Sequence, residues 1–548
     1  MVYRQKRGRL GSTRPEPVAQ PVSIPASVGG INALDSYAAM PPQDCIYTYN
    51  LMPVEYGLQL RKGYRVYASG LPSEVRTIIP YESNSTVSTK NRLFAVTKEG
   101  IYNVTTDGET TPTQVVSFST SSGGAGFGTW IEFTNDASDH YLFYADYENG
   151  VFIYEDATDT WSTPSGWTYN LGAGSTPFPV DNVAFIMVHK LRIWVILKDS
   201  DDAWYLPVAS IAGELKKFTF GAKMKYGGNL QGLWTWSLDG GDGLDDYLVA
   251  AGRGGDLMVY RGSDPEATDF ALNGNWFIGR IPDSRRIAIQ YGAEMYMLSS
   301  FGITSMRDLI QGSAADNVRT SASAKINRIL RASIGQSIGS NVWSMFINPS
   351  DGYMQVIAPF NDSQSAIQYN RNMNTGAWGM WEGVEATCAE PWDGNYYLGA
   401  GDSNAGEVWI YEGSLDGVLN DGTGGQKITF RVLTSFQAMG QIAFFKNVGM
   451  VRVIGRLSSD TNISLTAVYD YDIEAPLLDP AGGAATPPVL WDLVVWDEIT
   501  WGYEVEPVNL IKGSYDIGRA VAIGMRGSSE ARIEVVSWDV SLQQGGWL

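Results

Sequence analysis

The residues able to do chemistry are few and poorly spaced for it. Only two histidines occur, His140 and His189, 49 positions apart and each beside a stretch that reads as a strand. A zinc site needs three or four converging ligands, and a Ser-His-Asp relay needs a histidine placed to move a proton. Both histidines therefore read as structural. Cys45 and Cys388 are the only cysteines, so no disulfide framework holds 548 residues together, and one bridge is the most they can form. The glycine run GGAGFG at 123–128 opens no helix, which leaves a phosphate cradle unsupported. The loop at 239–246, with Asp239, Asp242, Asp245 and Asp246, offers oxygen ligands to a hard cation. It lacks EF-hand spacing, and a tight turn needs the same residue types. No catalytic residue, cofactor site or metal site is expected, and the chain reads as a non-enzyme.

Two clusters of positive charge and one of aromatics are better candidates for contact with a partner. Arg4, Lys6, Arg7 and Arg9 precede the first acid, Glu16, and Pro15, Pro17, Pro21 and Pro25 keep the following chain extended. This is either a solvated tail or an arm that docks on an acidic partner or DNA. A helix is predicted over 316–334, with Asp316 as its N-cap. Val318, Ala322, Ile326, Ile329, Leu330, Ser333 and Ile334 fall on one side of it, and Lys325, Arg328 and Arg331 on the other. That basic face is either solvated or an intersubunit or DNA contact. Trp491, Trp496 and Trp501 recur every five residues, which fits neither a strand face nor a helix face. They either pack under a loop or form an aromatic docking surface.

The elements that must carry these residues are strands. Aromatics are abundant (18 Trp, 29 Tyr, 19 Phe) and 61 glycines punctuate them, which argues for an all-β chain. A pair of short aromatic strands recurs, the second ending at Tyr102, Tyr154, Tyr205, Tyr260, Met306, Tyr369 and Tyr411, with successive spacings of 52, 51, 55, 46, 63 and 42. That is the period of propeller blades. The expected fold is an irregular β-propeller of six to eight blades with one basic amphipathic helix inserted, followed by a β-sandwich-like domain. The partition is an extended arm and lead-in at 1–53, a propeller at 54–424 and a platform at 425–548.

A formal charge of −20 argues against a passive nucleic-acid coat, which needs clustered Lys and Arg along phosphates. The longest apolar stretch, 183–197, is broken by His189, Lys190 and Arg192, so strands explain it better than a membrane span. The basic N-terminus lacks an apolar signal core, and the chain is expected to fold in a cytoplasm.

DSDDAWYLPVASIAG (199–213), GGNLQGLWTWSLDGGDGLDDYLVAAGRGGDLMVYRGSDP (227–265) and GRIPDSRRIAIQYGAEMYMLSSFGI (279–303) look like motifs of bacteriophage virion proteins. With GGINALDSYAAMPPQDCIYTYNLMPVEYGLQLRKGY (29–64), they resemble the tail nozzle or hub (tail tubular) family of short-tailed phages. The resemblance covers the N-terminal segment and propeller well and the last 125 residues loosely. It implies a structural virion protein without enzymatic role: a six-fold homomeric ring below the portal and adaptor, near tail fibre or spike, through which double-stranded DNA leaves. It carries over no catalytic residue, and Met306 departs from the aromatic expected in the fifth unit. Acidic subunits around such a channel would repel phosphates and let DNA slide.

Two rival readings remain at this stage. One is a receptor-binding propeller that recognises glycan on a host cell surface through exposed Trp and Tyr. The other is a propeller hydrolase, which needs convergent acids with shifted pKa values.

Overall fold

The computed structural model describes residues 20–84, 90–172, 174–239, 244–311, 321–360, 366–401, 404–440, 442–458, 461–474, 477, 505–513 and 517–545. Seven small antiparallel blades follow one another along the chain, the last two joined within one larger sheet. Blade 1 runs Thr77–Tyr81, Arg92–Val96, Gly100–Asn103, Thr113–Ser117. Blade 2 runs Gly128–Thr134, His140–Asp146, Gly150–Glu155, Thr160–Ser162. Blade 3 uses Val183–His189, Arg192–Leu197, Asp202–Tyr205, Gly213–Thr219, and blade 4 uses Leu230–Asp239, Leu244–Gly252, Asp256–Arg261, Ala271–Phe277. The first strands of successive blades pack side by side, except that blade 4 meets the second strand of blade 5, around a ring that closes from blade 7 back to blade 1. The chain is an all-β propeller, and it has seven blades.

Period-two alternation explains why these strands stack as blades. On His140–Asp146, Leu142 and Tyr144 pack with Ile79, Tyr81, Phe94 and Val96 of blade 1. Tyr141, Phe143 and Ala145 point the other way, onto Val183, Ile186, Ile193 and Val195 of blade 3. Both faces are buried, so both carry large apolar side chains. The aromatic that ends the repeat lies in or just past the third strand and is buried in every blade but the fifth, which has Met306 there. Tyr154 and Trp161 are cross-strand partners with ring centroids 5.5 Å apart.

Blade 5 departs from the pattern. It has three strands, Ala288–Tyr291, Glu294–Ser299 and Gly302–Ser305, followed by a short helix, Met306–Gln311. Met306, where an aromatic was expected, is fully buried. A second helix covers the open edge: the Ile303 amide donates to Ser323 Oγ at 2.7 Å, replacing a fourth-strand carbonyl. This helix occupies Asn327–Ser337 after a 3-10 turn at Ala324–Ile326, so it starts later and runs further than the predicted 316–334. Asp316 and Val318 lie outside the described residues. Ser321 Oγ accepts from Asn327 Nδ2 while Ser323 serves the strand edge, and serines so engaged favour a turn over helix. The predicted apolar face is present, with Ile326, Leu330 and Ile334 buried.

Blade 6 (Ser344–Asn348, Tyr353–Ile357, Ile367–Asn372, Trp378–Glu382) leads into blade 7, whose first three strands are Ala386–Trp392, Asn395–Ala400 and Val408–Ile410. The fourth strand of blade 7 is Tyr64–Ala68, paired antiparallel with Val408–Ile410. The ring is thus locked by strands from opposite ends of the propeller sequence.

Two further sheets share one core. Lys446–Ser458 pairs with Val505–Gly513 and Glu534–Gln544, and Val521–Ser529 pairs with Gly424–Thr434 and Asn462–Tyr469. Val451, Val453, Trp538 and Val540 of the first meet Phe430, Val432, Leu465 and Ile523 of the second, a sandwich packing. From Gln20 onward the lead-in is a set of paired strands within these sheets. Gln20–Pro25 runs antiparallel to Glu534–Gln544, and Asp44–Tyr49 antiparallel to Gly424–Thr434. No helix among the described residues is long and apolar enough to cross a membrane.

Candidate functional site

The first strands enclose an axial channel of about 550 Å³. Trp130 and Ile131 of blade 2, Trp234 of blade 4, Met295 of blade 5 and Ile347 of blade 6 make its walls mainly apolar, and Gln290 of blade 5 also lines it. Among the described residues, Glu390 of blade 7 is the one carboxylate that lines it. Burial pushes that carboxyl up to about 8, against the opposing pull of the Arg286 charge and the Trp130 indole N–H. Arg286, just before the first strand of blade 5, reaches across to blade 1, donating to the Arg76 carbonyl at 2.9 Å and to Thr77 Oγ1 at 3.4 Å. Phe127 and Phe346 flank its guanidinium, with ring centroids at 5.9 and 5.7 Å.

Beside this neck lies a polar cavity of about 230 Å³ lined by loops that enter the first strands or link second strands to third. Tyr147 Oη donates to Asp199 Oδ2 and Asn229 Nδ2 to Asp199 Oδ1, each at 2.8 Å. Asp283 pairs with Arg253. Arg285 lines both cavities; it donates to the Gln231 carbonyl at 2.8 Å and lies 5.5 Å from the Tyr147 ring centroid. Burial pulls its pKa down to about 10, with Tyr147, Asp199 and Asp283 opposing. These groups can hold a ligand. Neither histidine lines either cavity.

The residues singled out in the sequence lie elsewhere. Arg4, Lys6, Arg7 and Arg9, and Trp491, Trp496 and Trp501, fall outside the described residues. Lys325 is a clamp, bonded to Asp44 Oδ1 at 2.8 Å and to the Gly29 carbonyl at 3.2 Å. Arg331 lies 5.6 Å from the Phe301 ring centroid, and it and exposed Arg328 rim a shallow groove floored by Ala33, Leu34 and Ala332. Of the acidic loop, Asp246 is engaged by Lys190 at 3.0 Å and Ser237 Oγ at 2.6 Å, and 240–243 lie outside the described residues. Among the described residues no cluster of three His, Cys or carboxylate side chains is placed to hold a metal.

His189 is buried, its Nδ1 3.0 Å from Thr235 Oγ1; His140 Nδ1 is 2.8 Å from Thr134 Oγ1. Both cysteines are buried and free, so no bridge joins them. Arg285, Arg286 and Glu390 were missed by sequence reasoning. A signal existed: the twin arginines open the first strand of a blade in an acidic chain, inside GRIPDSRRIAIQY.

No protein-family model matches the chain, and no curated protein matches it. Among solved structures, the computationally designed Ika8 protein aligns over 63% of this chain and 99% of that one, at 11% identity and a TM-score of 0.30. That likeness is too distant to carry an argument.

Proposed function

We propose that this chain is a structural subunit of a short phage tail, a nozzle or hub that assembles as a ring around the DNA exit path. The observation that carries this reading is mechanical continuity. One sheet runs from blade 6 through Asp44–Tyr49 and Gly424–Thr434 into Leu415–Val418, Tyr64–Ala68 and blade 7. Hydrogen-bonded strands join propeller and platform where a flexible linker would let them swing, and a subunit that holds pressurised DNA in line needs such a joint. Trp130, Trp234 and the arginines narrow the propeller's own axis to a cavity of about 550 Å³, so on this reading the duplex passes between subunits. The −20 charge then serves as an electrostatic lining. Portal and adaptor above, and fibre or spike alongside, are the partners this position implies.

The test is electron microscopy of the intact virion with this chain fitted to the density. The expected result is six copies encircling the exit channel below the portal. Absence from the tail, or a position at a fibre tip, ends the reading.

One observation favours a receptor-binding alternative. Tyr226 and Phe277, 55% and 40% exposed, sit with ring centroids 4.2 Å apart, an aromatic platform of the kind a sugar ring stacks on. Binding of host-surface glycan that is lost in Tyr226→Ala would support it.

A further inference from the structure

The exposed pair of Tyr226 and Phe277 is one end of a longer strip. The Phe301 ring meets Phe277 edge to face with centroids 5.6 Å apart, and the Arg331 guanidinium lies 5.6 Å from the Phe301 centroid. Ser300, next in sequence to Phe301, lines the groove of about 680 Å³ whose rim carries Arg328 and Arg331. The floor of that groove is small and apolar, Ala33 and Leu34 of the lead-in against Ala332 and Gly335 of the helix, and Leu34 is 57% exposed. An open aromatic pair, a third ring and a cationic groove thus form one continuous surface, and exposed apolar surface rimmed by polar groups marks a contact site.

Charge narrows what this surface fits. Among the described residues neither Arg328 nor Arg331 forms an ion pair, whereas Arg253 and Arg280, in the loops beside Tyr226 and Phe301, both pair with Asp283. The two helix arginines are therefore open to an anion, in a chain whose net charge is −20, and the guanidinium fork matches a carboxylate. A nucleic-acid strand carries a phosphate at every nucleotide and needs Lys and Arg along its whole track, which two arginines at one end of the strip do not supply. A sugar polymer with an occasional acid lays an apolar ring face on Tyr226 and Phe277 and brings a carboxylate to the arginines.

We propose that this surface binds an acidic oligosaccharide, one sugar stacked on Tyr226 and Phe277 and a uronate carboxylate held by Arg328 and Arg331. The inference rests on the glycan-binding reading of the aromatic pair, to which it adds the class of sugar and the groove that selects it.

The experiment is calorimetric titration of the full chain with tetramers of galacturonate and of mannuronate, each beside its carboxyl-reduced neutral counterpart, and with a thymidine decanucleotide. At least one acid tetramer is expected to bind about tenfold more tightly than its neutral counterpart, the worth of one charge-assisted contact. Arg328→Gln combined with Arg331→Gln is expected to remove that margin and leave the neutral tetramer unaffected; both side chains are exposed, and thermal unfolding checks that the variant is folded. Gly335→Trp fills the groove from a position where no neighbouring atom lies within 4 Å of an added Cβ, and is expected to abolish the margin by a second route. Equal affinity for acid and neutral tetramers overturns the inference while the glycan-binding reading stands, and no binding of any tetramer overturns both. Tighter binding of the decanucleotide, or a margin that survives in the double arginine variant or in Gly335→Trp, also overturns the inference.

Discussion

Arg61 and Asp416, 355 residues apart in sequence, meet in a bidentate ion pair, Nη1 to Oδ1 at 2.7 Å and Nη2 to Oδ2 at 2.6 Å. The Arg61 side chain is 1% exposed, and its Nε donates to Asn50 Oδ1 at 2.9 Å. Asn50 Nδ2 donates in turn to the carbonyls of Glu382 in blade 6 and Thr429 in the platform. This is the knot where blade closure and platform are tied.

Removing Asp416 leaves the buried Arg61 charge without its counter-charge. Asp416→Ala is expected to cost about 3–5 kcal/mol, the usual penalty for orphaning one half of a buried pair. Urea unfolding followed by tryptophan fluorescence measures it. A loss below about 1 kcal/mol would show that the pair is solvated in practice.

Ser323 substitutes for a missing strand at the edge of blade 5. Ser323→Ala takes away the acceptor of the Ile303 amide, at about 1–3 kcal/mol for an unsatisfied buried donor. Hydrogen exchange at Ile303 should accelerate while the first strand of the same blade keeps its protection. Unchanged exchange at Ile303 would mean that another acceptor takes over.

His189 makes stability depend on pH. Burial, then the neighbouring Lys190, pulls its pKa from 6.5 to about 4, with Asp246 opposing. Between those values the unfolded chain holds the extra proton, so stability falls as pH drops from about 6.5 towards 4. Above 6.5 this contribution is constant. The shift corresponds to on the order of 3 kcal/mol. His189→Gln should flatten this part of the profile; a parallel curve for the variant would assign the pH dependence to other groups.

The two thiols should be inert in the folded protein. Burial, then Asp44, pushes the Cys45 thiol far up, and burial raises Cys388 to about 11. Since the thiolate is the reactive form, a disulfide reagent at pH 8 should modify neither until denaturant is added. Two equivalents released on unfolding, and none before, is the expected count.

Much of the blade architecture is legible from local order. The repeated strand pairs are the second and third strands of all seven blades, because alternation of large apolar side chains is written within a few residues wherever a sheet is buried on both faces. Tyr102, Tyr154, Tyr205, Tyr260, Tyr369 and Tyr411 are buried as that pattern requires. The helix after blade 5 is legible in its apolar stripe, while its start shifts because Ser321 is engaged by Asn327 and Ser323 by the Ile303 amide. The channel residues are less legible: Arg285, Arg286 and Glu390 are ordinary surface types until a ring brings blades 5 and 7 together.

By itself, then, the sequence determined the strand-rich class, the blade rhythm, the placement of turns and the scarcity of histidine and cysteine. Tertiary structure alone decided that Tyr64–Ala68 completes blade 7, that Gln20–Pro25 lines up with Glu534–Gln544, and that Arg285, Arg286 and Glu390 line one axial cavity. The physical reason is that a strand's side-chain pattern specifies which faces are buried, whereas its edge hydrogen bonds are chemically alike in every strand. Which distant edge it takes is settled by the packing of the whole chain.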